Sequence, residues 1–247
     1  MGKSKDLATG ASYVDTSGDT MTGNLGIGAA PTRALHVEHA TDATMIVNAA
    51  AGNQATYLLG EGGASKFNMS HKASDDTFQI YNYYNSGISL KIDSSGNVTK
   101  PNNPWFSAHG ASSGWVSFPN AGSDNILNVF NGGTVYQNTG GGFNTSTSSY
   151  TAPVSGRYCF LYNTYTKGGA STSAGQYLYP RLYVNNSPTQ PRENIKHYNG
   201  ENYDEGREMT IMFNLAANDV VKCGCWSSHT TNQYYGGSFH WQGFLIG

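Results

Sequence analysis

The sequence predicts an all-β protein, and three observations carry that prediction. Charged residues are only 12% of the 247 positions while aromatics reach 13%, a balance that suits half-buried strands and leaves little material for long solvated helices. The 31 glycines supply frequent turns. Apolar residues recur with a period of two in short runs bounded by Gly, Asn, Asp, Ser and Pro, as strands with one buried face require. The length is ample for a core and fits one large or two small domains.

Residues 1–33 read as an extended, fibre-like segment. Ordering a residue costs roughly 1–2 kcal/mol, and the few apolar side chains from Gly10 to Pro31 offer little burial to offset it, so the segment has to lean on something else. Leu25 and Ile27 alternate and predict a short strand. Gly26-x-Gly28 lacks a third glycine and a following helix, Gly2-Lys3-Ser4 lacks a phosphate-binding glycine loop, and Met1-Gly2 lacks the Ser or Thr of an acylation motif.

Residues 34–100 read as a small β domain, a sheet or sandwich. Strands are expected at Ala34–Glu38, Thr44–Asn48, Thr56–Leu59, Lys66–Ser70, Thr77–Tyr83 and Ile88–Ile92, separated by Gly-, Asn- and Asp-containing turns. Phe78, Ile80, Ile88, Leu90 and Ile92 are its expected core. Pro101 and Pro104 mark residues 101–104 as a linker, because proline cannot join a central ladder. A second domain follows over residues 105–247.

That second domain is organised around Thr134 to Phe160. Strand-like runs at Thr134–Gln137, Ser149–Ala152 and Gly156–Thr166 are separated by a glycine triplet and by the turn Pro153-Val154-Ser155-Gly156. Later strands show two faces. Met209, Ile211, Phe213 and Leu215 alternate with Thr210, Met212 and Asn214; Leu178, Leu182 and Val184 with Tyr177, Tyr179, Arg181 and Tyr183; Phe239, Trp241 and Leu245 with His240, Gln242, Phe244 and Ile246. The second face is still rich in Tyr and Phe, so burial against further copies of the chain is expected.

The run Tyr150-Thr-Ala-Pro-Val-Ser-Gly-Arg-Tyr-Cys-Phe160, the aromatic Phe143-Asn144, the late Leu215-Ala-Ala-Asn-Asp-Val-Val221 and the closing Gly236-Gly-Ser-Phe239 and Phe244-Leu-Ile-Gly247 together resemble the C1q/TNF-like jelly-roll head. The resemblance covers roughly residues 105–247 and implies a jelly-roll β-sandwich that assembles as a homotrimer. Gly18-Asp-Thr-Met-Thr-Gly-Asn-Leu-Gly-Ile-Gly28, Ala34-Leu-His-Val37 and Leu90-Lys-Ile-Asp-Ser-Ser-Gly-Asn-Val98 are similar to segments of bacteriophage tail fibres and related adhesins, in which such stretches wind around two identical copies.

Several functions find no support in the composition. A net charge of −2 without a Lys/Arg cluster gives no footprint for nucleic acid. No run approaches the roughly 18 apolar residues of a membrane helix, and Met1–Ala11 carries lysines without the apolar core of a secretory signal. Cys159, Cys223 and Cys225 read as reduced buried thiols. The last two share a strand face and lack a second ligand pair with zinc spacing, so no metal is assigned. The acidic run Glu201–Glu208 reads as a solvated loop without the alternating pattern of a calcium loop, and its carboxylates do not make a glycosidase pair. No Gly-x-Ser-x-Gly elbow occurs. His240 reads as a packing residue. The Asn-x-Ser/Thr sequons are treated as chance in so Asn- and Ser-rich a chain. No catalytic residue and no cofactor is assigned, and the chain is expected not to be an enzyme.

The function implied is adhesion: the tip of a bacteriophage tail fibre, assembled in the host cytoplasm, that binds a bacterial surface glycan or outer-membrane protein as a trimer and joins other tail components through its N-terminal end. Candidate receptor contacts are Tyr198, Tyr203, Trp226, His229, Tyr234 and Tyr235, aromatic or imidazole side chains in polar segments placed between the expected strands. The alternatives are a structural trimerisation cap that touches no receptor and a polysaccharide-cleaving tailspike, the latter without the short repeat of a β-helix.

Overall fold

The computed structural model describes residues 25–27, 35–37, 41–111, 114–120, 122–167, 176–189, 196–198, 204–228 and 233–246. Every regular element among them is a strand, apart from one 3-10 turn at Gly236–Ser238. Strands β1 (Leu25–Ile27) and β2 (Leu35–Val37) pair in parallel, Leu25 with Leu35 and Ile27 with Val37. The strand expected at Thr44–Asn48 does not form: this stretch has no regular structure, with Ile46 80% exposed. A run of apolar residues makes a strand only where a neighbouring edge accepts its hydrogen bonds.

Strands β3 (Ala55–Glu61), β4 (Ala64–Lys72), β5 (Thr77–Asn82), β6 (Gly87–Ile92) and β7 (Val98–Thr99) form an antiparallel meander in that order. Register sets Tyr57, Leu59, Phe67, Met69, Phe78, Ile80, Leu90 and Ile92 on one face. The expected core is corrected here. Phe78 is 41% exposed and Ile80, Ile88, Leu90 and Ile92 are only half-buried, whereas the buried residues are Asn68, Ser70, Thr77 and Gln79 on the opposite face. There Asn68 Nδ2 donates to the Tyr83 hydroxyl at 3.1 Å and Ser70 Oγ donates to Asn68 Oδ1 at 3.4 Å. Among the described residues no second layer covers the apolar face, so the meander is one sheet. At its end the Asp93 carboxylate accepts from the Ser95 and Asn97 backbone N–H groups and from Asn97 Nδ2, each at 2.9 Å.

The proline-containing connection is tied on both sides. Asn102 Nδ2 donates to the Ile88 carbonyl and Asn103 Nδ2 to the Leu245 carbonyl. Beyond it lie β8 (Trp105–His109), β9 (Trp115–Ser117), β10 (Ser123–Ile126), β11 (Thr134–Thr139), β12 (Phe143–Asn144), β13 (Ser149–Thr151) and β14 (Gly156–Lys167). They are followed by β15 (Gln176–Val184), β16 (Ser187–Pro188), β17 (Lys196–Tyr198), β18 (Asp204–Leu215), β19 (Val220–Ser227), β20 (Gln233–Tyr235) and β21 (His240–Leu245).

These strands build two sheets. One runs β12-β13-β19-β15-β16, with β10 also on β19 and β17 on β15; the other runs β11-β8-β21-β14-β20-β9, with β18 on the far side of β14. The chain crosses from sheet to sheet repeatedly, as from β13 to β14 and from β18 to β19, which makes the unit a β-sandwich of jelly-roll character. Between the layers lies a dense aromatic core. Phe106 stacks on Phe143 and Tyr150 at 4.7 Å between ring centroids and meets Trp241 edge-on at 4.9 Å. Each such pair adds roughly 0.5–1.5 kcal/mol beyond area burial. Gly243 makes this density possible: a Cβ there would lie within 2.6 Å of the Phe106 and Phe160 rings.

The alternation expected of β18 and β21 is present, with Met209, Ile211, Leu215, Phe239 and Trp241 buried. All three cysteines are free and buried, and loss of hydration pushes the Cys223 thiol up to about 12. The reverse turn between β18 and β19 is held by Asp219, whose carboxylate accepts from the Ala216 N–H and from Asn185 Nδ2 at 2.8 Å each. Asn218 takes the left-handed conformation there (φ 73°), which asparagine tolerates better than most residues.

Candidate functional site

The outer face of the β14 sheet carries several of the exposed large apolar residues of the sandwich. Residues that alternate with the core point outward, and register aligns Trp105, Phe244, Cys159 and Met212 in one row across β8, β21, β14 and β18. The next row holds Ser107, Gln242, Leu161 and Thr210. Trp105, Leu161, Met212, Phe244 and Ile246 are 39–51% exposed, so this face presents a coherent apolar band to solvent.

A polar row borders the band. Thr134, His109, His240, Asn163 and Glu208 are consecutive cross-strand neighbours on β11, β8, β21, β14 and β18. Asn163 Nδ2 donates to Glu208 Oε1 at 3.2 Å. The His109 and His240 rings meet at 4.4 Å in a T-shaped contact. His240 is exposed, which corrects its reading as a packing residue. Desolvation, and then the charge of His109, lower its pKa from the usual imidazole value. The acidic run is corrected as well: Asp204 to Glu208 belong to β18, paired with Lys167 to Asn163, and are not part of a loop.

The described candidate contacts also lie in strands and not between them. Trp226 is in β19, Tyr234 and Tyr235 are in β20, and Tyr198 is in β17. Strand β20 is recruited because it finds β9 on one side and the end of β14 on the other. Tyr203 and His229 lie outside the described residues, as does the Tyr198 side chain. The structure separates the two neighbouring tyrosines. Tyr234 turns inward against Phe118 and Phe239, and burial raises its pKa. Tyr235 turns outward and joins Trp115 at 5.7 Å, and Trp115 in turn stacks on Tyr165 at 5.5 Å. This half-buried group of three rings offers flat faces of the kind that stack on sugars; Trp115 and Tyr165 were not among the expected contacts.

Trp226 belongs to a different surface, the outer face of the β19 sheet, where it is half-buried and pairs in register with Asp124. Asp124 accepts from Arg181 Nη1 and, at 3.1 Å, from the Tyr183 hydroxyl. Arg181 is 5% exposed and Tyr183 1%, so the pair is a desolvated charge held by an aspartate that remains partly open. Burial, and then the adjacent Asp124 charge, push the Tyr183 pKa well up. Gly224 opposite Arg181 gives the Tyr183 ring room, since a Cβ there would come within 2.9 Å of it. The alternation puts Arg181 and Tyr183 on the second face of the strand, expected to be buried against further copies; they are buried within the chain, on a partner 57 and 59 residues away.

Among the described residues no group of three or more His, Cys, Asp or Glu side chains is gathered as for a metal, and no helix is long and apolar enough to cross a membrane. No family model matches the chain, and no curated protein matches it in sequence. Among solved structures the chain is similar to the globular domain of the zebrafish complement 1qA protein, at 16% identity over 58% of this chain and 98% of that one, with a TM-score of 0.39.

Proposed function

We propose that this chain is the tip of a homotrimeric adhesive fibre, of the bacteriophage tail-fibre kind, that attaches to a bacterial surface glycan or outer-membrane protein and catalyses nothing. The observation that carries the reading is the apolar band of Trp105, Leu161, Met212, Phe244 and Ile246 on the outer face of the β14 sheet. Strands β8, β21 and β14 beneath it are paired on both sides, and packing the band against two further copies removes it from water at about 25 cal/mol per Å² of apolar area. The apolar face of the β3–β7 meander has the same need. The fibre-like segments Gly18–Gly28 and Leu90–Val98 support the same assembly by their resemblance to tail-fibre sequences.

Adhesion then falls to the aromatic and polar groups away from the band, with the Trp115–Tyr235–Tyr165 group and Trp226 beside Asp124 as contacts. Three copies convert weak single contacts into avidity. The test pairs molar mass by light scattering with saturable binding of labelled protein to a panel of bacterial strains. A threefold mass with strain-selective binding, lost in the double variant Trp115→Ala/Tyr235→Ala, is the expected result. A monomer overturns the assembly, and a trimer that binds no strain reduces the chain to a structural cap.

A further inference from the structure

The polar row beside the apolar band contains an arrangement that the adhesive reading does not use. His109 and His240 face each other directly across the antiparallel β8–β21 ladder. The Gly110 N–H donates to the Phe239 carbonyl at 2.8 Å, the ladder bond that flanks a non-hydrogen-bonded pair, and at such pairs facing side chains approach most closely. The rings are 4.4 Å apart between centroids with planes at 74°. Among the described residues neither imidazole has a hydrogen-bond or ion-pair partner. His240 is exposed and His109 half-buried, so both rings keep a nitrogen lone pair that no described group consumes, on a face open to solvent.

We infer that the His109–His240 pair is a two-imidazole chelating site for a divalent first-row transition ion of the zinc and copper class. Metal–nitrogen bonds of about 2.0–2.1 Å to two cis imidazoles place the ring centres roughly 4.5–5 Å apart. The observed separation is already close to that, so rotation of the rings about their terminal bonds suffices, with no movement of the backbone. The ladder fixes the spacing of the two ligands in advance, which lowers the ordering cost of binding. Imidazole selects zinc, copper and nickel over calcium and magnesium, with copper bound most tightly. Glu208, held by Asn163, lies two strands beyond His240 and contributes negative charge without acting as a ligand. Water fills the remaining coordination positions. Both ligands come from one chain, so a single copy suffices to supply them.

The test is calorimetric titration of the full chain with Cu²⁺ and Zn²⁺, and with Ca²⁺ as a control, for the wild type, His109→Asn, His240→Asn and the double variant. The other five histidines remain in every protein and give a constant background. The expected result is a Cu²⁺ site stronger than the Zn²⁺ site, no Ca²⁺ heat, and affinity reduced about tenfold or more in each single variant. The double variant loses no more than either single one, the non-additivity that marks two ligands on one ion. Near-UV circular dichroism of the variants checks that the sandwich is intact; if a variant is misfolded, His109→Gln and His240→Gln replace it. Single variants that keep the wild-type affinity, or losses that add independently, overturn the site.

Discussion

The sandwich and the five-stranded meander are built from the same kind of strand, yet they end in opposite states. The sandwich buries Phe106, Tyr150, Phe160, Phe239 and Trp241 completely between two layers. The meander has one layer, and its large apolar residues stand half in water while Asn68, Ser70, Thr77 and Gln79 are the buried ones. The sandwich therefore completes its own core, and the meander does not. In the proposed trimer the two regions depend differently on assembly: copies would extend the sandwich and would finish the meander.

The largest effect should come from the sandwich core. Trp241→Ala removes the ring that Phe106, Phe130, Phe143 and Phe160 pack around and is expected to cost about 3–5 kcal/mol in denaturant unfolding. Gly243→Ala leaves the hydrophobic surface unchanged but drives a methyl group toward two rings, with an expected loss of about 1–3 kcal/mol. If the sandwich absorbs that methyl group without loss, its core is looser than the contacts imply.

Leu59→Ala and Phe78→Ala in the meander sharpen the comparison. Both side chains are more than two-fifths exposed, so in dilute monomer each change is expected to cost under about 1 kcal/mol. In assembled protein the same changes should lower the melting temperature more, and the difference should grow with protein concentration. A concentration-independent effect would mean that copies do not cover this face.

The smallest effect is acid sensitivity. The Asp93 pKa is lowered chiefly by its hydrogen bonds from Asn97, that of Asp219 by the bonds from Asn185 and Ala216, and that of Asp75 by the bond from Lys91. Because their folded pKa values lie below the ordinary 3.8, the stabilisation is fully present above that value and is lost as pH falls through the lowered one. Asp93→Asn and Asp219→Asn should each lower the melting temperature slightly at neutral pH and lose that difference in strong acid. Asp93→Asn tests the meander and Asp219→Asn the sandwich, and equal acid slopes would show that the two regions do not melt separately.

The all-β class, the positions of β14, β21 and the second half of β18, and the faces of the last two were legible in the sequence because a period of two is a local signal, whereas the acidic first half of β18 read as a loop. Residues Met209, Ile211, Leu215 and Trp241 point where alternation sends them. What was not legible depends on partners. Among the described residues the apolar stretch from Thr44 to Asn48 has no paired edge, and Phe78 and Leu90 have no second layer, yet neither absence is written in the residues themselves. Tyr234 and Tyr235 looked like loop aromatics because their strand exists only between β9 and β14. Of the candidate contacts, Tyr235 and Trp226 remain on outer faces, whereas Tyr234 packs inward. Asp124 with Arg181, and His109 with His240, are joined by sheet register across long separations, which no spacing rule reaches.

Strand β21 carries a consequence for biosynthesis. It lies between β8 and β14, so the earliest strand of the sandwich waits for the latest before its inner edge is covered. A chain on the ribosome has made every other strand of that sheet before residue 240 emerges, and still holds two open ladders and a core without Trp241. Such long-range closure is slow and leaves sticky edges exposed meanwhile. Chaperone residence during synthesis should therefore last until residues 240–245 have emerged, and a product stopped at Phe239 lacks the strand β21 (His240–Leu245) and should be degraded.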